Sequence, residues 1–141
     1  MADYDFEIIA GGFTFKAVYN PTAPKTVEAF KKHLLGMKTQ VIQARWSGQS
    51  GWIPFGELDL GVEVEWESNT SYPAAGELLI YGGGESEAEV LFPYGHTAFH
   101  AVTGQLAGNH FATIIEGKEN LKELGRKMLW EGAQDLEFRA L

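Results

Sequence analysis

The chain has 141 residues, of which 45% are hydrophobic and 21% charged, a balance typical of one globular domain over residues 1–141. It contains no cysteine, which excludes disulfide bridges, thiolate zinc sites and cysteine nucleophiles. The net charge of -8 repels phosphate backbones, so we expect no nucleic-acid partner.

The N-terminal segment predicts a protein that is neither exported nor membrane-bound. Residues 1–7 are acidic and lack the basic start and apolar run of a secretory signal. No stretch approaches the roughly 20 apolar residues of a membrane-spanning helix. We therefore expect a cytoplasmic protein without a membrane partner, and the composition leaves a homo-oligomer open.

The first elements in chain order are a predicted hairpin and a predicted helix. Residues 6–10 and 13–19 flank the Gly11-Gly12 turn, and the second run places apolar residues at every other position, as in a half-buried strand. Pro24 suits the first position of a helix, and Val27, Phe30 and Leu34 follow at helical spacing. The pattern predicts a helix over about residues 24–35, before Gly36.

The rest of the chain predicts short strands and one further helix. Seventeen glycines and eighteen aromatic residues favour strands joined by tight turns. Apolar spacing predicts a second helix over Glu119–Trp130. The predicted strands are Thr39–Trp46, Gly51–Pro54, Val62–Glu67, Glu77–Tyr81, Glu89–Pro93, Thr97–Thr103, His110–Glu116 and Leu136–Phe138. This order favours a mainly β fold, a closed barrel of about eight strands with two helices.

Two features resemble cyclophilins: the helix start over residues 24–30, which reads Pro-Lys-Thr-Val and leads into an aromatic residue, and Arg45 beyond it. The chain is more similar to a bacterial cyclophilin-like family of small proteins without assigned function. The segments that carry this resemblance are Ala44–Gly48, Asn69–Pro73, Gly104–Phe111 and Leu129–Gln134. The resemblance covers about residues 20 to 138 and implies a cyclophilin-like barrel, without naming a substrate.

The chain departs from true cyclophilins where those enzymes bind proline. The Ile-Gln-Gly-Gly run that follows the cyclophilin arginine is missing, His110 replaces the strand glutamine, and Ala112 replaces a pocket aromatic residue. A prolyl isomerase needs an apolar slot for the proline ring and a donor near the prolyl nitrogen. The resemblance therefore implies prolyl isomerase activity that is absent or very weak.

Arg45, Trp46 and Trp52 form the best candidate for a ligand-binding group. A guanidinium holds a carboxylate or carbonyl, and aromatic side chains cover an apolar body. The alternative is a structural arginine that stacks on a tryptophan and pairs with an acid. Tyr72 is a further candidate wall of such a pocket, although tyrosines also serve to fill barrels.

Asn109 and His110 are the candidate directional groups, and His110 is the candidate acid or base. A neutral imidazole with its pKa near ~6.5 exchanges protons at physiological pH. The alternative is a histidine packed into the barrel wall. His96 and His100 would lie about 13 Å apart on one strand, so we expect no metal site and no cofactor.

Two other motifs have simpler interpretations. Residues 82–85 read Gly-Gly-Gly-Glu, which matches no phosphate-binding loop and predicts a flexible hairpin. Ser47 and Ser50 lack the spacing of a nucleophile elbow and are typical of turns.

Together these residues predict a small-molecule site at one end of the barrel. We expect an anionic or amide-containing metabolite in a cleft shared by Arg45, Trp46, Asn109 and His110. Two alternatives stay open: a hydrolase or isomerase of a cyclic amide that uses His110, and a peptidyl-prolyl cis-trans isomerase.

Overall fold

A computed structural model describes residues 3–56, 58–60 and 66–141. The helices are α1 (Pro24–His33) and α2 (Leu121–Glu131), with a 3₁₀ turn at Lys118–Asn120. The strands are β1 (Phe6–Ala10), β2 (Phe13–Tyr19), β3 (Lys38–Gln43), β4 (Gly48–Gly56), β5 (Asn69–Thr70), β6 (Glu77–Tyr81), β7 (Ala88–Thr97), β8 (His100–Ala101), β9 (Gly104–Gln105), β10 (Gly108–Glu116) and β11 (Gln134–Ala140).

Eight antiparallel strands close into a barrel in the order β2-β1-β11-β3-β4-β7-β6-β10, and β10 returns to pair with β2. The short β5 extends the sheet beside β10, and β8 and β9 form a separate two-stranded hairpin. Closure leaves no free edge among the eight barrel strands. The predicted mainly β barrel with two helices is confirmed.

The two helices pack at opposite ends of the β1–β2 hairpin. Phe30 of α1 packs on Phe6 and Tyr19, where β1 begins and β2 ends. At the other end, the ammonium of Lys127 in α2 donates a hydrogen bond of 2.6 Å to the carbonyl of Gly11 in the β1–β2 turn. The apolar faces of both helices belong to the core inside the barrel.

Several strand boundaries differ from the predictions. The predicted strand Thr39–Trp46 ends at Gln43, because residues 44–47 turn towards β4. The predicted strand Thr97–Thr103 is interrupted: β7 ends at Thr97, residues 98 and 99 lie in no strand, and only His100–Ala101 follow as the short β8. Of the predicted strand Val62–Glu67, residues 62–65 lie outside the described residues, and Glu67 is not in a strand.

Alternating side chains give the barrel wall two different faces. Leu78 and Ile80 of β6, like Val90 of β7, point into the main core. Leu79 and Leu91 of the same strands belong to a second apolar cluster, which therefore lies on the outer face of the barrel. In this region the barrel wall is covered on both sides, and the candidate site lies on its outer face.

No helix among the described residues is long and apolar enough to cross a membrane.

Candidate functional site

A cavity of about 290 Å³ lies against the outer face of β4 and β7. Three connecting segments surround it: the turn before β4, the β6–β7 loop and the β8–β9 hairpin. Its lining residues are Ala44, Arg45, Trp46, Ser47, Trp52, Glu85, Ser86, Glu87, Glu89, Leu91, His100, Ala101 and Val102. This cavity therefore lies on the wall of the barrel, whereas the sequence analysis expected a site at one end of the barrel.

Ser47 fastens the turn before β4 to the β8–β9 hairpin. Its hydroxyl donates to the carbonyl of His100 at 3.2 Å and accepts from the backbone N–H of His100 at 3.1 Å. The carbonyl of Ser47 also accepts from the N–H of Ala98 at 3.1 Å. The buried serine is thus a structural clasp between two cavity walls, in agreement with its assignment to a turn.

Phe99 and Tyr81 fix the positions of the segments that surround the cavity next to the β8–β9 hairpin and at the β6–β7 loop. The ring of Phe99 is fully buried in the outer cluster and meets the ring of Tyr81 edge-on, with centroids 5.9 Å apart. The Tyr81 hydroxyl accepts a hydrogen bond from the N–H of Glu85 at 3.0 Å, which ties down the β6–β7 loop. The glycine-rich segment over residues 82–84 connects β6 to β7, as predicted for a hairpin.

Glu89 is a buried carboxyl group on the cavity floor. Its residue is only 5% exposed, and Oε2 accepts a hydrogen bond from Trp52 Nε1 at 3.0 Å. Burial raises the pKa of Glu89 to about 7; the hydrogen bond from Trp52 opposes this rise, and the charge of Glu87 adds to it. Glu89 is therefore suited to exchange a proton or to meet a cation near neutral pH.

Arg45 and His100 line the same cavity as Glu89 but belong to other segments of the chain. Within the described part of the chain, the exposed guanidinium of Arg45 makes no ion pair or hydrogen bond. His100 Nδ1 lies 2.9 Å from the carbonyl of Ala98. Because a carbonyl only accepts, Nδ1 is the donor of this hydrogen bond.

Three of the predicted ligand-binding residues line this cavity. Arg45 and Trp46 come from the turn before β4, where Trp46 is 55% exposed at the rim, and Trp52 lies on β4. Tyr72 does not line the cavity: it is 65% exposed, and its hydroxyl donates to Gln105 Oε1 at 3.2 Å. Arg45, Trp46 and Trp52 therefore line one cavity together, as expected of neighbours in sequence, whereas Tyr72 lies outside it.

Asn109 belongs to a structural network near the start of α1. Its Nδ2 donates to Thr26 Oγ1 at 3.1 Å, and its Oδ1 accepts from the N–H of Glu67 at 3.2 Å. The Glu67 carboxylate accepts in turn from the N–H groups of Lys25 at 3.1 Å and Thr26 at 2.7 Å. These contacts satisfy free donors at the helix start, so Asn109 supports the fold at this point.

His110 faces the outside of β10, away from the core to which its neighbour Phe111 belongs. Its Nε2 lies 2.8 Å from Thr113 Oγ1, and the residue is half-buried. Neither His110 nor Asn109 lines the cavity of Arg45. The structure therefore does not bring Asn109 or His110 to the cavity of Arg45: Asn109 contacts Thr26 and Glu67, and His110 contacts Thr113.

Sequence reasoning missed Glu89 and His100 as site residues. The available signal for Glu89 was an acid within the run Ala88–Phe92, where apolar residues occupy consecutive positions. Such a run indicates a strand covered on both faces, and therefore a buried carboxyl group. His100 gave no comparable signal, because its position depends on the hydrogen bonds between its backbone and Ser47, which is distant in sequence. Among the described residues, no group of three or more acids or histidines is arranged to hold a metal ion.

Comparison with known proteins gives a family and a related fold. A model of DUF3830, described as a protein of unknown function, matches residues 8–140. The chain belongs to this family. No curated protein matches it significantly. A solved structure, "Structure of McbB in complex with tryptophan", superimposes with a TM-score of 0.70 at 18% sequence identity. The match covers 96% of this chain and 44% of the McbB chain, and at this identity it shows a shared fold alone.

Proposed function

We propose that this barrel binds a small molecule with an apolar, flat body and a carboxylate or carbonyl group in its outer cavity. Arg45 is the polar anchor, and Trp46 and Trp52 are the walls. The observation that carries the proposal is the Arg45 guanidinium, which has no partner among the described residues and borders an aromatic-walled cavity. Binding pockets typically combine such apolar walls with a few polar groups.

The classification of the chain as a bacterial cyclophilin-like protein is part of the same proposal. The closed barrel and the helix start at Pro24 support a bacterial cyclophilin-like protein, as the sequence resemblance implies. McbB, which shares the fold, was solved with tryptophan, a small molecule with a flat apolar ring and a carboxylate. That chemistry agrees with the cavity proposed here, and no nucleic acid or cofactor is part of the proposal.

A hydrolase or isomerase of a cyclic amide is the second candidate function. In the structure, the residue that acts as acid or base would be a different one from the predicted His110. His110 is remote from the cavity lining, whereas Glu89 and His100 line it. A carboxyl group with a pKa of about 7 is suited to acid-base chemistry, and His100 lines the same cavity. In this version Glu89 replaces His110 as the acid or base.

Removal of the Arg45 side chain tests the anchor role. We expect Arg45→Ala to weaken binding of 3-phenylpropanoate, an aromatic carboxylate, by about 1.5–3 kcal/mol, the range for a hydrogen bond to a charged group. The neutral amide 3-phenylpropanamide should lose less, since its carbonyl carries no net charge. Titration calorimetry measures both affinities.

Arg139→Ala is the matched control, because Arg139 is an exposed arginine on β11 that pairs with Glu7 and Glu137. It should bind both compounds like the native protein. Equal affinity of the native protein and Arg45→Ala for 3-phenylpropanoate would remove Arg45 from its anchor role.

Prolyl isomerase activity is expected to be absent or very weak. The departures around Arg45, His110 and Ala112 remove parts of the cyclophilin proline pocket, and in the structure His110 does not border the Arg45 cavity. A protease-coupled assay on a proline tetrapeptide measures this activity. Robust turnover that disappears in Arg45→Ala would contradict the expectation and favour the isomerase alternative.

A further inference from the structure

Glu89, on the floor of the cavity, has one carboxyl oxygen that accepts no hydrogen bond from a described residue. Glu89 Oε2 is bonded to Trp52 Nε1, and no described residue donates to Oε1. Among described side chains, only the Tyr19 hydroxyl is both enclosed and unpaired. Oε1 is therefore not fully enclosed by the protein. Because Glu89 lines the cavity, we take Oε1 to be accessible from the cavity.

Stability alone does not account for a carboxyl group at this position. Trp52 is a neutral donor, so it does not balance the charge of an ionised Glu89, and a buried unpaired charge is costly. An amide oxygen would accept the same hydrogen bond without that cost. A charged partner from outside the chain would compensate Glu89 where the fold does not.

The groups around Glu89 come from every wall of the cavity. They are Trp52 from β4, Arg45 from the turn before β4, Glu85 and Glu87 from the β6–β7 loop, His100 from β8, and Tyr81, which is the register partner of Glu89 on β6. Even when Glu89 is protonated, Glu85 and Glu87 outnumber Arg45, so the charges around the cavity have a negative balance. The glutamates would repel a ligand that carries only negative charge. A molecule with a positive nitrogen and a negative or carbonyl oxygen can interact favourably with both the glutamates and Arg45.

We propose that Glu89 is the counter-ion for a protonated nitrogen of the ligand, so that the cavity takes a small zwitterion whose carboxylate meets Arg45 and whose ammonium meets Glu89. This inference rests on the proposed function, since it assigns the ligand class of the same cavity. It narrows the expected anionic or amide-containing metabolite to an amino-acid-like molecule with an apolar, flat side chain between Trp46 and Trp52.

Three compounds on one carbon skeleton test the assignment. L-Phenylalanine carries both charges, 3-phenylpropanoate lacks the ammonium, and 2-phenylethylamine lacks the carboxylate. By calorimetry at pH 6, we expect L-phenylalanine to bind at least ~10-fold tighter than either partial compound, because a hydrogen bond to a charged group has about that effect on affinity. In Glu89→Gln, the advantage of L-phenylalanine over 3-phenylpropanoate should fall below ~2-fold, while Arg45→Ala should retain it.

A proton measurement on the native protein supports the test without any variant. The pKa of Glu89 is raised to about 7 by burial, so the free carboxyl group is mostly protonated at pH 6, and an ammonium ligand displaces that proton. Calorimetry in two buffers of different ionisation enthalpy should give a net release of protons when L-phenylalanine binds. Binding of 3-phenylpropanoate should release almost none.

The outcomes separate this inference from the proposed function. If 3-phenylpropanoate binds through Arg45 and L-phenylalanine binds no tighter, the anchor stands and the counter-ion is overturned. If proton release persists in Glu89→Gln, the proton comes from a group other than Glu89, and the counter-ion is again overturned. If none of the three compounds binds, both the inference and the proposed cavity function fail.

Discussion

Replacing Phe30 by alanine is expected to destabilise the protein by about 3–5 kcal/mol, the usual range for removal of a buried phenylalanine ring. Phe30 is fully buried where α1 meets the barrel. Its ring centroid lies 4.9 Å from that of Phe6, 4.9 Å from that of Phe111 and 5.1 Å from that of Phe138. One side chain therefore joins α1 to β1, β10 and β11, and its loss leaves a cavity that the closed barrel is poorly able to collapse.

Tyr19→Phe is the matched control for this prediction, because Tyr19 belongs to the same aromatic group. Its ring centroid is 6.0 Å from that of Phe30, and its hydroxyl is enclosed with no hydrogen-bond partner among the described residues. Removing an unsatisfied hydroxyl should leave stability unchanged or raise it slightly. Urea unfolding measures both variants. A loss below ~1 kcal/mol in Phe30→Ala would show that this ring does not anchor α1.

The period of apolar residues was sufficient to predict the barrel. In β2, apolar residues alternate over 13–19, and in α1 Val27 and Phe30 repeat at helical spacing; both patterns reflect local geometry that any one segment carries. The opening hairpin, both helices and most strands follow from such local signals. The predicted boundaries failed where contacts between distant segments determine the structure, as at Phe99, which lies in no strand and packs in the outer cluster.

The candidate site was only partly predictable, for a physical reason. Arg45, Trp46 and Trp52 are close in sequence, so one local motif was enough to group them. Glu89 joins Trp52 through the pairing of β4 with β7, in which Trp52 is opposite Leu91 and Glu89 is its diagonal neighbour. That register is a long-range property. Asn109 and His110 were grouped with Arg45 by resemblance, although adjacent strand residues face opposite sides.

Replacing Glu89 by glutamine should make the protein more stable at pH 8 but not at pH 4. Burial raises the pKa of Glu89 from its ordinary 4.5 to about 7 in the folded state. Below pH 4.5 the carboxyl group is protonated in both states and has no effect. As pH rises from about 4.5 to 7, the unfolded chain loses its proton first, so the native protein loses stability. At about 1.4 kcal/mol for each pKa unit, a rise of about 2.5 units gives a total loss of about 3.5 kcal/mol.

Other carboxylates titrate as well, so the difference between two proteins is the informative quantity. Burial acts against ionisation of Glu67, but hydrogen bonds from Thr26 and Lys25 outweigh it and lower the pKa of Glu67, which gives stability that is lost on acidification. Subtracting the native unfolding free energies from those of Glu89→Gln, measured in urea from pH 4 to pH 8, cancels that contribution. Glu119→Gln, which alters an exposed acid in the 3₁₀ turn, should give a flat difference. A flat difference for Glu89→Gln would mean that Glu89 ionises in the folded protein as easily as in the unfolded chain, and that solvent reaches the cavity floor freely.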